Sequence, residues 1–208
     1  MDRFVITIAR QYGSGGKTIG EMLSKKLSVE YYDKDLIAKA SEESGINISL
    51  FANADEKNKS LLSGLRKKQY GADVLSPSDP NFTSEENLYN YQAKIIRELA
   101  DKESCIIIGR AADHILKGRD NVLSVFVHAP HDFLMEQAAK KHSMSEKELE
   151  KYIAKIDKER ADYYKRHTGH EWTDARNYDL CLDSSKLGFE RCTDEIIAYM
   201  NVRFGKMQ

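Results

Sequence analysis

The chain has 208 residues, 41% of them hydrophobic and 31% charged, and a formal net charge of −1 at pH 7. That length gives one globular domain with room for insertions, and the balanced charge excludes a general basic field for nucleic acid or an anionic membrane surface. The three cysteines, Cys105, Cys181 and Cys192, show no Cys-x-x-Cys or Cys/His spacing to suggest zinc, and their odd number argues against a disulfide framework.

An odd cysteine count suits a reducing compartment. The chain runs straight into a strand and has no apolar run long enough to span a bilayer, so a cytoplasmic protein with no membrane partner is expected. Cys105 and Cys181 lie in apolar runs and are expected to be buried thiols.

Phe4-Val5-Ile6-Thr7-Ile8 is a short β-rich run. A glycine-rich turn follows, Gly13-Ser14-Gly15-Gly16-Lys17-Thr18, and then Ile19, Met22, Leu23 and Leu27 at helical spacing. Strand, glycine-rich turn and helix in this order are the setting of a phosphate-binding loop. Glycines let successive backbone N–H groups face inward, and the helix start adds unpaired donors and the positive end of its dipole. Lys17 can reach the outer phosphates of ATP, and the Thr18 hydroxyl can hold Mg²⁺. Gln11 stands where the loop pattern has its first glycine.

Residues 29–32 read as a second strand ending at Asp33. A carboxylate at a strand's C-terminal end beside a phosphate loop can meet a ligand hydroxyl or amine; the alternative is a cap for a helix over 36–44. Residues 36–103 form an insertion: a short helix, a charged helix over 55–70, a loop over 71–84 rich in proline, and a helix opened by the capping box Thr83-x-x-Glu86. That helix carries Leu88, Tyr91, Ile95, Ile96 and Leu99 on one face.

Cys105-Ile106-Ile107-Ile108 reads as a central parallel strand, buried on both faces and ending in Gly109-Arg110. An arginine there points to the ligand crevice and suits a bidentate grip on phosphate; the alternative is a surface pair with Asp113. Residues 122–127 make the next strand, and Asp132 or its neighbour starts a helix. Ser145-x-x-Glu148 caps a long helix that carries Lys155, Lys158, Arg160, Lys165 and Arg166 and stops at Gly169. Residues 178–182 form the last strand, and a helix closes the chain. Strands alternating with helices give a three-layer α/β/α P-loop fold with a central parallel sheet.

The basic run over 155–166 is either a solvated helix face or a lid whose arginines close over transferring phosphates. The pairs His128/His131 and His167/His170 lack a third ligand and read as surface or loop histidines. Trp172 and the tyrosine pairs at 31–32 and 163–164 could stack a base, but read mainly as packing groups. The strand at 105–108 ends in glycine and that at 122–127 in histidine, where a motor would carry a Walker-B acid, and neither an Asn-Lys-x-Asp motif nor a His-Arg-Asp loop occurs. Motors, GTPase switches and protein kinases are thereby disfavoured.

In this order, residues 6–16, 31–37, 105–113, 157–164 and 177–184 resemble the cytidylate kinase-like branch of the P-loop nucleoside monophosphate kinases. The resemblance implies a core of 1–35, 104–141 and 176–208, a helical acceptor-binding insertion at 36–103 and a basic lid at 142–175. It implies transfer of the ATP γ-phosphoryl to CMP or dCMP with Mg²⁺. By position, residues 13–18 would hold the ATP phosphates, Arg110 the acceptor's phosphate, and Asp33 and Asp113 its sugar or base. Lys17, Arg160 and Arg166 would be the catalytic cations. Two other readings stand beside it: a kinase of another nucleotide or metabolite, and a nucleotide-sensing protein without catalysis.

Overall fold

The computed structural model describes residues 3–33, 35–50 and 73–205. The expected charged helix over 55–70 lies outside the described residues. Five parallel strands form one sheet: β1 (Val5–Arg10), β2 (Glu30–Tyr32), β3 (Cys105–Ile108), β4 (Val122–His128) and β5 (Leu180–Asp183), in the spatial order β2-β3-β1-β4-β5. The centre is β1; β3 is its neighbour, internal and buried on both faces. The helices are α1 (Gly16–Leu27), α2 (Asp35–Ser44), α3 (Glu85–Lys102), α4 (Ala112–Ile115), α5 (His131–Ala139), α6 (Glu146–Thr168) and α7 (Ser184–Phe204).

The period of two in β3 divides the core. Cys105 and Ile107 face the layer that holds Leu36, Leu88, Ile95, Ile96 and Leu99 from α2 and α3. Ile106 and Ile108 face Ile19 and Leu23 of α1 and Cys192, Ile196 and Met200 of α7. Each face of the sheet thus acquires its own apolar cluster, which makes the three-layer fold. Thr7 breaks the pattern: it is buried in the central strand, and its hydroxyl has no hydrogen-bond partner among the described residues. Thr7→Val removes that unpaired hydroxyl at nearly constant shape. The variant is expected to gain about 1 kcal/mol of stability, a rise in Tm of about 2–4 °C, checked by thermal and urea unfolding.

Three expectations are corrected. The cap of α3 is Ser84, one residue after Thr83: its side chain accepts from the Asn87 backbone N–H. Asn87 decides this, because its buried amide also holds the Leu75 N–H and the Phe82 carbonyl and so fixes the register of the turn. Cys181 is exposed whereas Cys192 is buried. Cys181 sits on the edge strand β5, whose next residue, Leu182, takes the face that α7 covers. His167 is buried, its ring stacked on Tyr89 of α3 at 4.1 Å and 4°. The capping box Ser145-x-x-Glu148 and the stop at Gly169, with φ 76°, stand as read.

Among the described residues no helix is long and apolar enough to cross a membrane. The order β2-β3-β1-β4-β5 puts the chain's change of direction at β1. Ligands of open parallel sheets bind beyond the carboxyl ends of the strands at such a point.

Candidate active site

At that edge lies a cavity of about 480 Å³. Its walls come from the segment after β1, from Asp33 after β2, from Gly109–Asp113 after β3 and from α6. The loop itself is closed by Ser14, whose hydroxyl donates to the Gln11 carbonyl at 2.9 Å. Gln11 explains its own presence: its backbone N–H donates to Val127 O at 3.1 Å and its side-chain oxygen accepts from Ala129 N at 3.2 Å. It anchors the loop to the end of β4, a job a glycine could not do. Gly15 is the N-terminal flank of α1 at φ 80°, and a Cβ there would stand 2.2 Å from the Phe189 ring. Only glycine meets both conditions.

Gly109, Arg110 and Ala111 all have positive φ, at 71°, 61° and 51°. Two non-glycine residues in this region cost of the order of 1–3 kcal/mol each, a strain found at sites the surroundings force into shape. The kinked corner ends β3 and delivers Arg110 to the cavity wall. Burial lowers the pKa of Arg110, with the Asp33 charge acting the other way. Asp33 stands 3.5 Å from Lys17 and 3.8 Å from Arg10.

Arg160 reaches the cavity from α6, where Asp157 holds its guanidinium at 3.1 Å. The same Asp157 oxygen accepts the backbone N–H of Tyr12 at 2.8 Å, and Arg160 donates to the Arg10 carbonyl at 3.1 Å. One carboxylate thus couples α6 to the glycine-rich loop. Tyr12 strengthens that coupling by its bond to His142 and its edge-on packing against Tyr152.

Of the residues read from sequence, Gly13, Gly15, Gly16, Lys17, Thr18, Asp33, Arg110, Asp113 and Arg160 line this one cavity, and Ser14 lies buried behind the loop. Arg166 does not line it: its guanidinium bonds Glu85 of α3 at 2.9 Å. Six positions along a helix turn a side chain by about 240°, so Arg160 and Arg166 face different neighbours. With the stack of His167 on Tyr89, this pair fastens the end of α6 to α3.

Asp113 accepts the Tyr164 hydroxyl at 2.6 Å. Burial holds its carboxyl at about 6, above the ordinary 3.8, although Tyr164 and backbone N–H groups pull it down. With the folded value above the unfolded one, its stabilising contribution is complete below about pH 4 and is lost as the pH rises through about 6. Asp113→Asn is therefore expected to be more stable than the parent near neutral pH, by about 1–3 kcal/mol, with the gain shrinking toward pH ~4. Urea midpoints across that range check it, and a difference that stays constant with pH contradicts it.

The profile of the cytidylate kinase-like family matches residues 5–186, which span this whole site. The chain belongs to that family. A cytidylate kinase of Methanopyrus kandleri is 26% identical over 192 residues, 88% of this chain and 85% of that protein. The crystal structure of an uncharacterized protein from Eubacterium ventriosum covers 96% of this chain and 99% of its own, with TM-score 0.70 and 23% identity. A shikimate kinase from Bacteroides thetaiotaomicron covers 95% and 98%, with TM-score 0.51 and 16% identity. At those identities the two structures speak for the P-loop kinase fold alone.

The site of this cytidylate kinase-like chain also holds Arg10, Lys141 and Glu159, to which sequence reading gave no site role, and Tyr163, Tyr164 and Trp172, which it read mainly as packing groups. Arg10 had one available signal, its place at the C-terminal end of the first apolar strand. Tyr163 and Tyr164 lie within the segment that carries the resemblance, but a tyrosine pair on a helix looks like packing. Trp172 does pack, edge-on to Phe126, while lining the cavity.

Proposed function

We propose that the protein transfers the γ-phosphoryl group of ATP to a nucleoside monophosphate, CMP or dCMP before others. Family and fold support a nucleotide or small-molecule kinase, and the name of the archaeal relative supports the acceptor. The observation that carries the reading is that two segments suited to anions line one cavity. The glycine-rich loop, the strained Gly109-Arg110 corner and Asp33 line the same cavity, with Asp33 3.5 Å from Lys17. A site that only sensed ATP would need the first alone.

In this reading the loop N–H groups and the start of α1 cradle the ATP phosphates, and Lys17 meets the outer oxygens. Arg110 holds the acceptor's phosphate as a fork, and Asp33 and Asp113 meet its hydroxyl or ring donors. No strong base is required, because an acceptor phosphate oxygen is already a nucleophile; positioning and charge neutralisation supply the rate. Arg160 adds positive charge where the phosphoryl group moves. Among the described residues no three carboxylate, His or Cys side chains gather to hold a metal. A lone hydroxyl at Thr18 fits a Mg²⁺ that keeps phosphate oxygens and water as its other ligands. When bound, that ion would neutralise charge on the ATP oxygens.

A coupled assay of ADP formation tests this with CMP, dCMP, UMP, AMP, GMP and hydroxyl-bearing metabolites as acceptors. The reading expects CMP or dCMP to give the highest kcat/KM. Turnover with a hydroxyl acceptor and none with any nucleoside monophosphate would contradict it. That outcome would favour the second reading, in which Asp33 takes a proton from the acceptor hydroxyl; its closeness to Lys17 is the observation in favour.

A further inference from the structure

Arg10 ends β1 and stands in neither role assigned so far. Two glycines make room for it: a Cβ on Gly16 would come within 2.4 Å of the Arg10 Cβ, and one on Gly109 within 2.4 Å of its Nη1. The side chain therefore runs from the loop, under the cavity floor, to the corner after β3. That is the side of β1 on which β3 and β2 lie, whereas the loop at Gly13 abuts Leu134 of α5 on the other side.

Its guanidinium has five donors and makes no hydrogen bond to a described residue. Its one ion-pair partner among the described residues is Asp33, at 3.8 Å and shared with Lys17. Arg160 and Arg110 oppose its charge, and burial lowers its pKa to about 9. Tyr163, on the same wall near Arg110, has a buried hydroxyl with no hydrogen-bond partner among the described residues. Arg160 keeps Asp157 as its counter-charge, while Arg10 and Arg110 are pressed by burial and by neighbouring guanidiniums, with Asp33 acting the other way on both. Such an arrangement marks a place where an anion completes the charge balance.

We propose that Arg10 is the third arm of an anion clamp, with Arg110 and Arg160, that grips the anionic group of the acceptor at the cavity floor. The identity of the acceptor rests on the kinase reading above; the clamp rests on the geometry of Arg10. It makes Arg10 a specificity-determining residue, selecting a phosphate-bearing acceptor over a neutral one. The Tyr163 hydroxyl supplies a further donor to the same group.

The test compares the parent with Arg10→Gln and Arg10→Lys, with the loop filled by a non-hydrolysable ATP analogue and inorganic phosphate titrated by thermal shift. The parent is expected to show a phosphate-dependent rise in Tm. Arg10→Gln should need at least about tenfold more phosphate for the same rise, with ATP-analogue affinity changed by less than about threefold. Without any ligand its Tm should equal or exceed that of the parent, since a repelled cation has gone. Arg10→Lys, which keeps length and charge but loses the fork, should fall between the two. An equal phosphate response in parent and Arg10→Gln, including none in either, overturns the clamp. So does a fall in ligand-free Tm with phosphate affinity intact in Arg10→Lys, which would make Arg10 a structural partner of Asp33. Failure of CMP turnover would sink the acceptor reading and leave this comparison valid.

Discussion

Lys17→Ala is expected to lower kcat by at least about a thousandfold while moving Tm by no more than a few degrees. The two effects separate because of where the side chain sits. Lys17 is half exposed, and its partners Glu21 and Asp33 stand at 3.9 and 3.5 Å, too loose to support the fold. In the proposed transfer the same ammonium would meet charge that develops on phosphate oxygens, inside a cavity where such charge is poorly screened. Steady-state kinetics with ATP and CMP, alongside a thermal melt, check it. Near-parent turnover in a folded variant would remove the loop from the chemistry.

Asp157→Ala is expected to damage both rate and stability. Its carboxylate holds the Tyr12 N–H and the Arg160 guanidinium together. Removing it leaves a backbone donor and a largely buried cation without their acceptor, a cost of about 2–4 kcal/mol. Loss of position for loop and arginine should lower kcat by about 10²-fold. Asp157→Asn is the informative companion: its amide oxygen can still accept from Tyr12, so it should recover most of the stability and little of the rate. Urea unfolding and kcat for the two variants distinguish this from a packing role, under which stability and rate would recover together.

The parts of the site legible in the sequence were those built from neighbours in the chain. The glycine-rich loop, the arginine ending β3 and the Ser145 capping box each lie within ten residues and carry their geometry locally. Arg10 was not legible, because its role depends on the space left by Gly109, about a hundred residues away, and on the sheet order that makes β3 the neighbour of β1. In the sequence Asp157 is one acid on a charged helix; its bond to Tyr12 spans 145 positions. Arg166 lies off the cavity wall for a different reason: a basic run on a helix says how much charge there is, and only the neighbouring helix says which way each side chain turns. Glu85 and Tyr89 of α3 settle that. Cys181 shows the same limit in a strand, since alternation gives two faces but not which one a helix covers.

The most direct measurement is binding of a bisubstrate analogue, adenosine joined to cytidine through five phosphates, by isothermal titration calorimetry. If the loop and the Gly109-Arg110 corner serve one transfer site, the analogue binds with a stoichiometry of one. It should do so at least about a hundredfold more tightly than ATP or CMP alone, because linking two ligands makes the second binding event intramolecular. It should also displace both. Affinity no better than that of ATP, with CMP binding unaffected by the analogue, would contradict a shared donor and acceptor cavity.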